Sequence, residues 1–561
     1  MMNYRKPGIL TLILMLTAAL ALSACSSSGD GTNTAEQPGD NQTPAAPADP
    51  LGKYDPPIEV TTVRGDINQG FKYKNGDTID NNIWTRIFEE QYGIKVKNNW
   101  TVDESQYRQK LNVSIASGDI PDFLMVNKEE MMRLNDAGQL EDLTTILEQY
   151  GSPYLKDLLQ QDNGVALKAA TVEGKLVGIP KMQVNGGIST GEMLWVRTDW
   201  LKKLNLPEPK TIDDVVRIAT AFAKEDPDGN GKADTRGLGV NNTLFQMHGT
   251  VKGFFNGYKA YPDFWIKDAS GSLVFGTIQP EMKAALEQLA KLYADGIIDQ
   301  EFAVKPWDKL AEEIAAGKLG LAYGTVSDGG HIHSKNIDNE PDATWRPYPI
   351  VSVDDSPAVP QLQDTATNFY VVKKGTKNPE AMIKIANIYL KHYYETNYAP
   401  EPNPFISDSD GVFPGKYHPV QIDPLNVNLE AYKQVQEARE KGDGSMLGFP
   451  ASVHFERLTQ YEEGDKKLWF ATAVFGPEGS YSIIDYYNNK NLGIYSEFQG
   501  AATPTMSQKM SSLKKMQDEA FTKIIMGQSP ISAFDKFVED WKKLGGDRIT
   551  EEVNEWYSQN Q

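Results

Sequence analysis

The stretch EDPDGNGKADTRG, residues 225–237, places oxygen-bearing side chains at the spacing of a calcium-binding loop. An EF-hand loop presents oxygen ligands at positions 1, 3, 5, 7, 9 and 12, the seventh through a backbone carbonyl. The first five of these positions are occupied here, by Asp226, Asp228, Asn230, Lys232 and Asp234. Because calcium prefers such hard oxygen ligands, the spacing predicts a Ca2+ site.

The last position of the loop departs from the pattern. Position 12 should carry a bidentate Glu and is instead Gly237. Thr235, a water molecule or a distant carboxylate would have to complete the coordination shell. A surface turn rich in Asp and Gly, with no bound ion, is the alternative interpretation.

The surroundings of the loop indicate what a bound ion would do. A calcium sensor needs a second helix that moves on binding, and TRGLGVNN, residues 235–242, carries no helix signal. The loop contains no His, which argues against a catalytic zinc site. The amphipathic pattern DDVVRIATAFAKE, residues 213–225, precedes the loop and predicts a helix. The Ca2+ is therefore expected to be structural.

The first residues of the chain predict where the protein resides. Two basic residues precede an uncharged 14-residue apolar run from Ile9 to Leu22, whereas a membrane-spanning helix needs about 20 residues. This pattern predicts a signal peptide over residues 1–24. The run ends in LSAC, which resembles the lipobox of bacterial lipoproteins, and Cys25 is the only cysteine. The resemblance implies lipidation of Cys25 and an anchor on the extracellular face of the cell membrane.

A polar segment follows the predicted anchor. Residues 25–52 are rich in Ser, Gly, Pro, Thr and Asp, a composition that cannot bury enough apolar surface to fold. We expect a disordered linker there and a globular body over residues 53–561. The formal net charge of −20 argues against nucleic acid as a partner. Contact with the membrane is expected through the lipid alone.

The body alternates between strand-like and helix-like patterns. EVTTV (59–63) is typical of a strand, and NNIWTRIFEEQYG (81–93) of a helix that begins near an Asn cap and ends at Gly93. The alternation continues to the apolar strand DFLMV (122–126) and recurs after residue 319. It predicts an α/β fold with parallel sheets covered by helices. From about residue 425 onward the pattern is mostly helical.

The sequence offers little support for catalysis. It contains no G-x-S-x-G, no C-x-x-C and no P-loop. The only close pair among its six His, His331 and His333, lacks a third zinc ligand. We therefore predict that the chain is not an enzyme. A surface polysaccharide-degrading enzyme, which would need paired carboxylates or a Tyr/His/Arg set, is the alternative class.

Six segments resemble the extracellular solute-binding proteins of family 1, the sugar-binding lipoproteins of bacterial ABC importers. In chain order they are QKLNVSIASGDIPDFLMV (109–126), GQLEDLT (138–144), GKLVGIPK (174–181), LWVRTDWLKKLNLPEPKTIDDVVRIATAF (194–222), FYVVKKGTKNPEAMIKIANIYL (369–390) and EAFTKIIMGQSPISAFDKFVEDWKKLGGDRITEEVNEWY (519–557). The long subgroup with the alginate-oligosaccharide-binding proteins also carries a calcium loop at this place. Thr235 stands where those relatives would have an acidic residue, so the sixth calcium ligand stays open.

The resemblance implies an α/β fold of the two-lobed periplasmic-binding-protein type, with lobes joined by a hinge and a helical C-terminal region. Lobe 1 would comprise about 55–185 and 366–420, and lobe 2 about 190–365 and 421–561. The implied function is capture of a carbohydrate, an oligosaccharide, between the lobes. A monomer would then deliver it to the transmembrane subunits of an ABC permease. A receptor for a peptide or another small polar solute is the alternative.

The candidate ligand-binding residues are polar and aromatic side chains near predicted strand ends and crossing segments. Ligands of open α/β sheets lie beyond the carboxyl ends of strands, and sugar rings need flat apolar faces with planar polar groups. Trp84 is the leading stacking candidate and Asn127 the leading hydroxyl partner, with core packing and a turn role as their alternatives. The other candidates are Gln183, Trp265, Tyr323, Thr325, Asp328, Trp345 and Asp364, of which Asp328 suits a solvated loop equally well.

Overall fold

The computed structural model describes residues 48–66, 73, 76–184, 186–246, 249–395, 403–405 and 414–560. The predicted signal peptide, Cys25 and residues 26–47 of the predicted linker lie outside the described residues. Among the helices that the structure describes, none is both long and apolar enough to cross a bilayer.

The described part of the chain alternates strands and helices and ends in a run of helices. In chain order the strands are β1 Ile58–Asp66, β2 Ile94–Asp103, β3 Phe123–Asn127, β4 Thr171–Val172, β5 Lys175–Leu176, β6 Ile179–Pro180, β7 Met193–Arg197, β8 Trp265–Lys267, β9 Leu273–Phe275, β10 Leu321–Gly324, β11 Trp345–Pro349 and β12 Asn368–Val372. The α-helices are α1 Ile83–Tyr92, α2 Glu104–Ser117, α3 Lys128–Asp136, α4 Thr144–Tyr150, α5 Pro153–Leu158, α6 Val165–Ala169, α7 Thr198–Lys203, α8 Ile212–Lys224, α9 Lys252–Gly257, α10 Glu281–Ala294, α11 Trp307–Ala315, α12 Ser334–Asn339, α13 Ala381–Tyr393, α14 Val427–Lys441, α15 Ala451–Glu462, α16 Trp469–Phe475, α17 Ser480–Lys490, α18 Pro504–Ile525, α19 Ala533–Trp541 and α20 Asp547–Gln559.

Helix α1 begins and ends where its capping residues predict. The Asn82 side chain accepts hydrogen bonds from the backbone N–H groups of Trp84 and Thr85, and the Thr85 hydroxyl side chain completes a capping box. Gly93 ends the helix in the left-handed conformation, with φ of 64°. A Cβ at this position would also lie 2.4 Å from the Tyr54 carbonyl oxygen, so only glycine fits.

The sheet of the first core combines parallel and antiparallel strands. β1 pairs with β2 in parallel, which confirms the predicted arrangement. β12 lies between β3 and β6 and runs antiparallel to both. The two groups are joined at Thr61, whose backbone N–H and hydroxyl both donate to the Asp122 carboxylate at 2.8 Å.

The main sheet of the second core is antiparallel. β7 lies between β10 and β11, and both neighbours run antiparallel to it. The prediction of a parallel sheet is therefore wrong here. The periodicity of each segment predicts whether it forms a strand or a helix. It does not predict whether a strand runs parallel or antiparallel to its neighbour in the sheet.

Two hydrophobic cores divide the described chain, and we call the parts that enclose them the first and second lobes. The first core is built from residues between Val60 and Met182 and between Ala366 and Leu425. The second core takes residues between Met193 and Ala358 and, from the C-terminal helices, residues between Leu429 and Tyr557. The chain therefore crosses between the cores three times. These features confirm the predicted α/β class and the helical C-terminal region.

Candidate functional site

A crevice lies at the carboxyl ends of β1 and β3 in the first lobe. Near the start of both strands, Thr61 of β1 hydrogen-bonds to Asp122, which directly precedes β3. Further along, Asp66 of β1 and Met125 of β3 line the same cavity. The two strands therefore run in the same direction. β1 therefore has β2 on one side and β3 on the other, although both follow it in the sequence. Such a reversal of strand order opens a crevice at the carboxyl ends of the strands, where open α/β sheets bind ligands.

The crevice contains a cavity of about 260 Å³ with a mixed polar and aromatic lining. The rings of Tyr107 and Tyr370 are buried beneath it, and their hydroxyl groups hydrogen-bond to the backbone at Met125 and Gln421. The lining residues are Thr62, Val63, Arg64, Gly65, Asp66, Glu104, Tyr107, Met125, Lys181, Tyr370, Lys416, His418, Pro419 and Gln421.

The Arg64 guanidinium fixes one wall of this cavity. It donates to the carbonyl oxygens of Tyr417 at 2.5 Å and His418 at 3.2 Å. Burial lowers the pKa of Arg64 from its ordinary value, yet an arginine remains charged in proteins. Arg64 thus ties the end of β1 to a segment about 350 residues later in the chain.

Three polar residues share one face at the edge of the first-lobe sheet. Asn368 of β12 stands opposite Asn127 of β3, and the Lys181 N–H donates to the Asn368 carbonyl at 2.9 Å. The strand pairing places Met125, Tyr370 and Ile179 in one row across three strands. Each of the three polar residues lies two positions along the chain from one member of this row: Asn127 from Met125, Asn368 from Tyr370 and Lys181 from Ile179. Because strand side chains alternate between faces, the three polar side chains project to the same side as the cavity floor.

Asn127 is placed beside the cavity, as a ligand-binding role requires. Its side-chain oxygen caps α3 by accepting from the Glu130 N–H at 2.9 Å. Its amide nitrogen makes no hydrogen bond with the residues that the structure describes. The Arg108 guanidinium donates to both Glu130 and Asn368, which holds this edge together. The role of Asn127 toward a ligand stays a prediction.

Two lysines at this edge were not among the predicted site residues. Lys128 begins α3, and Lys181 follows β6. Both side chains are half-buried, and neither makes a hydrogen bond or an ion pair with the described residues. Burial lowers the pKa of Lys128 to about 8, although Asp364 acts in the opposite direction, and burial also lowers the pKa of Lys181. The only available sequence signal was the position of Lys128, two residues after the predicted strand DFLMV (122–126), and no predicted strand preceded Lys181.

Gln183 and Asp364 lie on the segments that cross between the cores, and both side chains are exposed. Asp364 accepts a hydrogen bond from Gln499 at 3.2 Å. It is also the carboxylate whose charge acts on Lys128 in the first lobe. Asp364 therefore stands between groups of both lobes, and its ligand-binding role stays a prediction, as does that of Gln183.

The structure contradicts the stacking role predicted for Trp84. The ring is fully buried in the first core, 4.5 Å from the rings of both Phe405 and His418. Its indole N–H donates to the Pro414 carbonyl at 2.7 Å. Both the faces and the polar group are therefore used within the protein. The sequence placed Trp84 at the start of α1 but not on the inner side of that helix.

Three further aromatic candidates are buried in the second core. Trp345 lies against His333 at 4.2 Å and donates to Asn336 at 2.8 Å, and Tyr323 is only 1% exposed. Trp265 packs on Phe275 at 5.2 Å, although it also lines a cavity of about 250 Å³ within the second lobe. The predictions that these rings face a ligand cleft are wrong for Tyr323 and Trp345, because protein atoms enclose them.

Thr325 and Asp328 form a turn at the end of β10. The buried Asp328 carboxylate accepts from the Thr325 N–H at 2.8 Å, and the Thr325 and Ser327 hydroxyl groups are 3.1 Å apart. Asp328 thus has a local role in closing the turn. A contact between either residue and a ligand stays a prediction.

The predicted calcium loop links its acidic side chains through hydrogen bonds with Asn230 and Gly231. The Asn230 amide donates to Asp228 at 2.6 Å and Asp234 at 3.1 Å, and the Gly231 N–H donates to Asp226 at 3.1 Å. Partial burial, with Asp226 and Asp234 nearby, raises the pKa of Asp228. Carboxylates that gather in this way repel one another unless a positive group lies between them.

The loop fits calcium by the chemistry of its donors, but its carboxylates do not converge on one point. No three His, Cys, Asp or Glu side chains within the described ranges are already arranged around a common point. The Asn230 amide instead occupies the space between two carboxylates, and Lys318 pairs with Asp234. Lys232 is exposed and its carbonyl remains the predicted ligand at position 7.

Thr235 does not complete the loop. Its side chain is buried, and its hydroxyl donates to the Phe222 carbonyl of α8 at 2.7 Å. The hydroxyl therefore caps the end of the preceding helix and is turned away from the acidic residues. The prediction of Thr235 as a side-chain calcium ligand is wrong.

Comparison with known proteins gives a consistent result along the chain. The family model for bacterial extracellular solute-binding proteins matches residues 72–391. Lipoprotein LipO of Bacillus subtilis (strain 168) is 25% identical over 483 residues, which cover 84% of this chain and 88% of LipO. The polygalacturonan/rhamnogalacturonan-binding protein YtcQ of the same organism is 23% identical over 470 residues, which cover 82% of this chain and 84% of YtcQ.

A solved structure shows the same fold. The S. pneumoniae ABC-transporter substrate-binding protein FusA, as an EF-hand mutant in complex with fructo-nystose, superimposes with a TM-score of 0.53. The match covers 90% of this chain and 99% of FusA at 16% sequence identity. An identity this low supports the fold alone, which is the two-lobed fold predicted from the sequence.

Proposed function

Because this chain belongs to the bacterial extracellular solute-binding proteins, we propose that it is the substrate-binding subunit of an ABC importer and that its cargo is an oligosaccharide. The protein would hold the oligosaccharide between its two lobes and deliver it, as a monomer, to the transmembrane subunits of a permease. Binding without chemical change is the expected activity.

The crevice at the carboxyl ends of β1 and β3 carries this proposal. It combines polar groups that suit sugar hydroxyls with the tyrosines Tyr107 and Tyr370 in its floor. The nearby segments that cross between the cores supply the hinge, because the lobes are connected only through them within the described chain. Closure of two lobes around a ligand is driven by contacts that form with both lobes only in the closed state.

The relatives support both the cargo and the location. YtcQ is named for polysaccharide binding, and FusA was solved with an oligosaccharide. LipO is named a lipoprotein, which supports the lipidation predicted for Cys25. We therefore propose a protein anchored by lipid to the extracellular face of the cell membrane.

Oligosaccharide binding should appear as thermal stabilisation without turnover. A ligand that binds only the native state adds about 2.7 kcal/mol of stability at 100 times its Kd. We expect at least one class in a panel of plant and microbial oligosaccharides to raise the melting temperature. Mass spectrometry should then recover that saccharide intact. A cleavage product would instead support the enzyme alternative, and a flat panel would support a peptide or other solute.

The position of the site can be tested with Met125→Trp. Met125 is half-buried and lines the cavity, so an indole there should fill the space that the ligand needs. Met446→Trp is the matched control, because Met446 is 91% exposed and lies far along the chain in the C-terminal region. Loss of binding in the first variant only, with both melting transitions retained, is the expected result. Equal affinity in both variants would place the ligand elsewhere.

We also propose that the loop over residues 226–234 binds Ca2+ as a structural ion, away from the oligosaccharide. The adjacent Arg236 N–H donates to the Lys318 carbonyl at 2.7 Å, just before the amino end of β10. The segment that crosses between the lobes before β7 lies at the opposite, carboxyl end of β10, because Met193 pairs with Gly324. Asp226, Asp228, Asn230, the carbonyl of Lys232 and Asp234 would hold the ion.

Calcium should raise the melting temperature, and Asp228→Asn should abolish that increase. In chelator the same variant should be at least as stable as the parent protein, because one of three clustered negative charges is removed. Asp355→Asn, at an exposed carboxylate outside the loop, is the matched control and should retain the calcium response. Oligosaccharide affinity should be unchanged by chelator at temperatures where the fold persists. Loss of that affinity would contradict a purely structural role.

A further inference from the structure

Lys128 and Lys181 place two positive charges at one edge of the first-lobe sheet. They stand next to the paired residues Asn127 and Asn368 on neighbouring strands, although they are 53 positions apart in the sequence. The Lys181 side chain lines the cavity, and Lys128 begins the helix that follows the adjoining strand. Neither ammonium group makes a hydrogen bond or an ion pair with the residues that the structure describes.

The position of Lys128 is unfavourable by local rules. The amino end of a helix carries a partial positive charge and favours acidic side chains, so a lysine at the first position of α3 is repelled by the helix dipole. Glu129 and Glu130 follow it, but the Glu130 carboxylate bonds to Arg108 and to the Asn127 N–H. Residues that break a local rule without a visible compensation are typical of functional sites.

Among the carboxylates near the two lysines, Glu104 lines the same cavity and its charge acts on Lys181 without an ion pair between them in the described chain, and the others are engaged elsewhere. Asp423 accepts hydrogen bonds from Tyr389 at 2.7 Å and Tyr394 at 2.8 Å, and burial raises its pKa. Asp364 bonds to Gln499, and Asp66 accepts from the Tyr73 hydroxyl at 2.6 Å. The charge of Asp364 acts on Lys128 and those of Asp423 and Glu104 act on Lys181, but none of these carboxylates forms an ion pair with either lysine within the described ranges.

A half-buried ammonium without a partner is unfavourable, and the lowered pKa of both lysines reflects that. A neutral sugar hydroxyl could accept a hydrogen bond from such a group but would not compensate its charge. A carboxylate would do both, and hydrogen bonds between charged partners are roughly twice as strong as neutral ones.

We propose that Lys128 and Lys181 bind carboxylate groups of the cargo, so that the oligosaccharide is an acidic one built from uronic acid residues. This inference rests on the proposed function and names the class of saccharide for the same crevice. The net charge of −20 repels an anionic ligand at long range, but salt screens that repulsion over about 8 Å under physiological conditions. Contacts inside the crevice therefore determine the affinity.

The experiment compares saccharides with similar rings that differ in whether they carry a negative charge. Calorimetry on the full chain in detergent would use trisaccharides of galacturonate, mannuronate and glucuronate, their methyl esters, and the corresponding neutral trisaccharides. We expect at least one acidic trisaccharide to bind about tenfold or more tightly than its own methyl ester, as loss of a charge-assisted hydrogen bond requires. The esters retain the sugar rings, neutralise the carboxylates and add one methyl group to each, and the neutral trisaccharides control for that added bulk.

Substitutions then assign the effect to the two lysines. Lys128→Met and Lys181→Met should each weaken binding of the acidic trisaccharide by about 10- to 100-fold and leave its methyl ester within about threefold. Lys175→Met, at an exposed lysine of the same lobe, is the matched control and should bind like the parent protein. Melting curves would verify that all three variants fold.

The outcomes separate this inference from the proposed function. Preferential binding of esters or neutral trisaccharides would overturn the inference and leave an oligosaccharide receptor standing. Unchanged acidic binding in both lysine variants would overturn it in the same way. Failure of every acidic, esterified and neutral saccharide to bind would overturn the proposed function together with the inference.

Discussion

Trp84→Ala is expected to lower the free energy of unfolding by about 3–5 kcal/mol, the range measured when a large buried aromatic ring is removed. Trp84 is fully buried, with its ring centroid 4.5 Å from those of Phe405 and His418 and 5.9 Å from that of Tyr389. Its indole N–H donates to the Pro414 carbonyl at 2.7 Å. Alanine would leave a cavity and an unsatisfied carbonyl between α1, α13 and the segment near residue 414.

Denaturant unfolding, followed by fluorescence and by circular dichroism, would measure this loss. Trp84→Phe is the control, because it retains most ring contacts and removes the indole hydrogen bond, with an expected loss of about 1–3 kcal/mol. Trp556→Phe tests a half-buried tryptophan of the second lobe and should have a smaller effect. If Trp84→Ala lost oligosaccharide affinity with an unchanged unfolding transition, the ring would belong to the ligand site after all.

Arg197→Met is expected to lower the free energy of unfolding by about 3 kcal/mol, because it removes one partner from a buried charge network. The Arg197 side chain is 3% exposed and donates to both carboxylate oxygens of Asp199, at 2.9 and 2.7 Å. It also approaches Glu340 at 3.1 Å and lies over the Trp200 ring at 4.6 Å. The methionine would leave two partly buried carboxylates without their common cation.

The geometry of the guanidinium can be separated from its charge. Arg197→Lys keeps a cation but loses the planar fork that serves Asp199 and Glu340 together, so it should recover only part of the stability. Arg548→Met provides the exposed control, because the Arg548 side chain is 55% exposed and its ion pair with Glu551 is solvated, so a much smaller change is expected. An unfolding transition of Arg197→Met equal to that of the parent would show that the network contributes specificity without net stability.

The elements of the fold follow closely from local sequence signals. The span of α1 could be predicted because Asn82 and Gly93 satisfy the ends of the helix by themselves. The alternation of strands and helices predicted the α/β class, and the ordered segments that resemble the solute-binding family predicted the two-lobed fold. The antiparallel pairing of β7 with β10 and β11 could not be predicted, because strand direction depends on the path of the chain between them.

The candidate site could be predicted only in part. Asn127 was predicted at this edge because it follows an apolar run, and strand ends are where ligands bind in such sheets, but its role toward a ligand stays a prediction. Lys181 was missed because its neighbour in the sheet, Asn368, comes from a strand far along the chain. The sequence analysis assigned three buried aromatic residues to the ligand site: Trp84, Tyr323 and Trp345. An aromatic residue near the end of a strand or helix can pack in the core or face a ligand, and the sequence alone does not distinguish the two.

The sequence by itself determined the spans of the capped helices, the acidic spacing of residues 226–234 and the class of the fold, because each depends on neighbouring residues or on an ordered set of segments. Only the tertiary structure decided that Lys128 and Lys181 lie at the same sheet edge, that Thr235 turns toward α8, and that the ring of Trp84 is enclosed. Periodicity and capping act over a few residues. Burial and side-chain encounters depend on the pairing of strands and helices that are hundreds of residues apart.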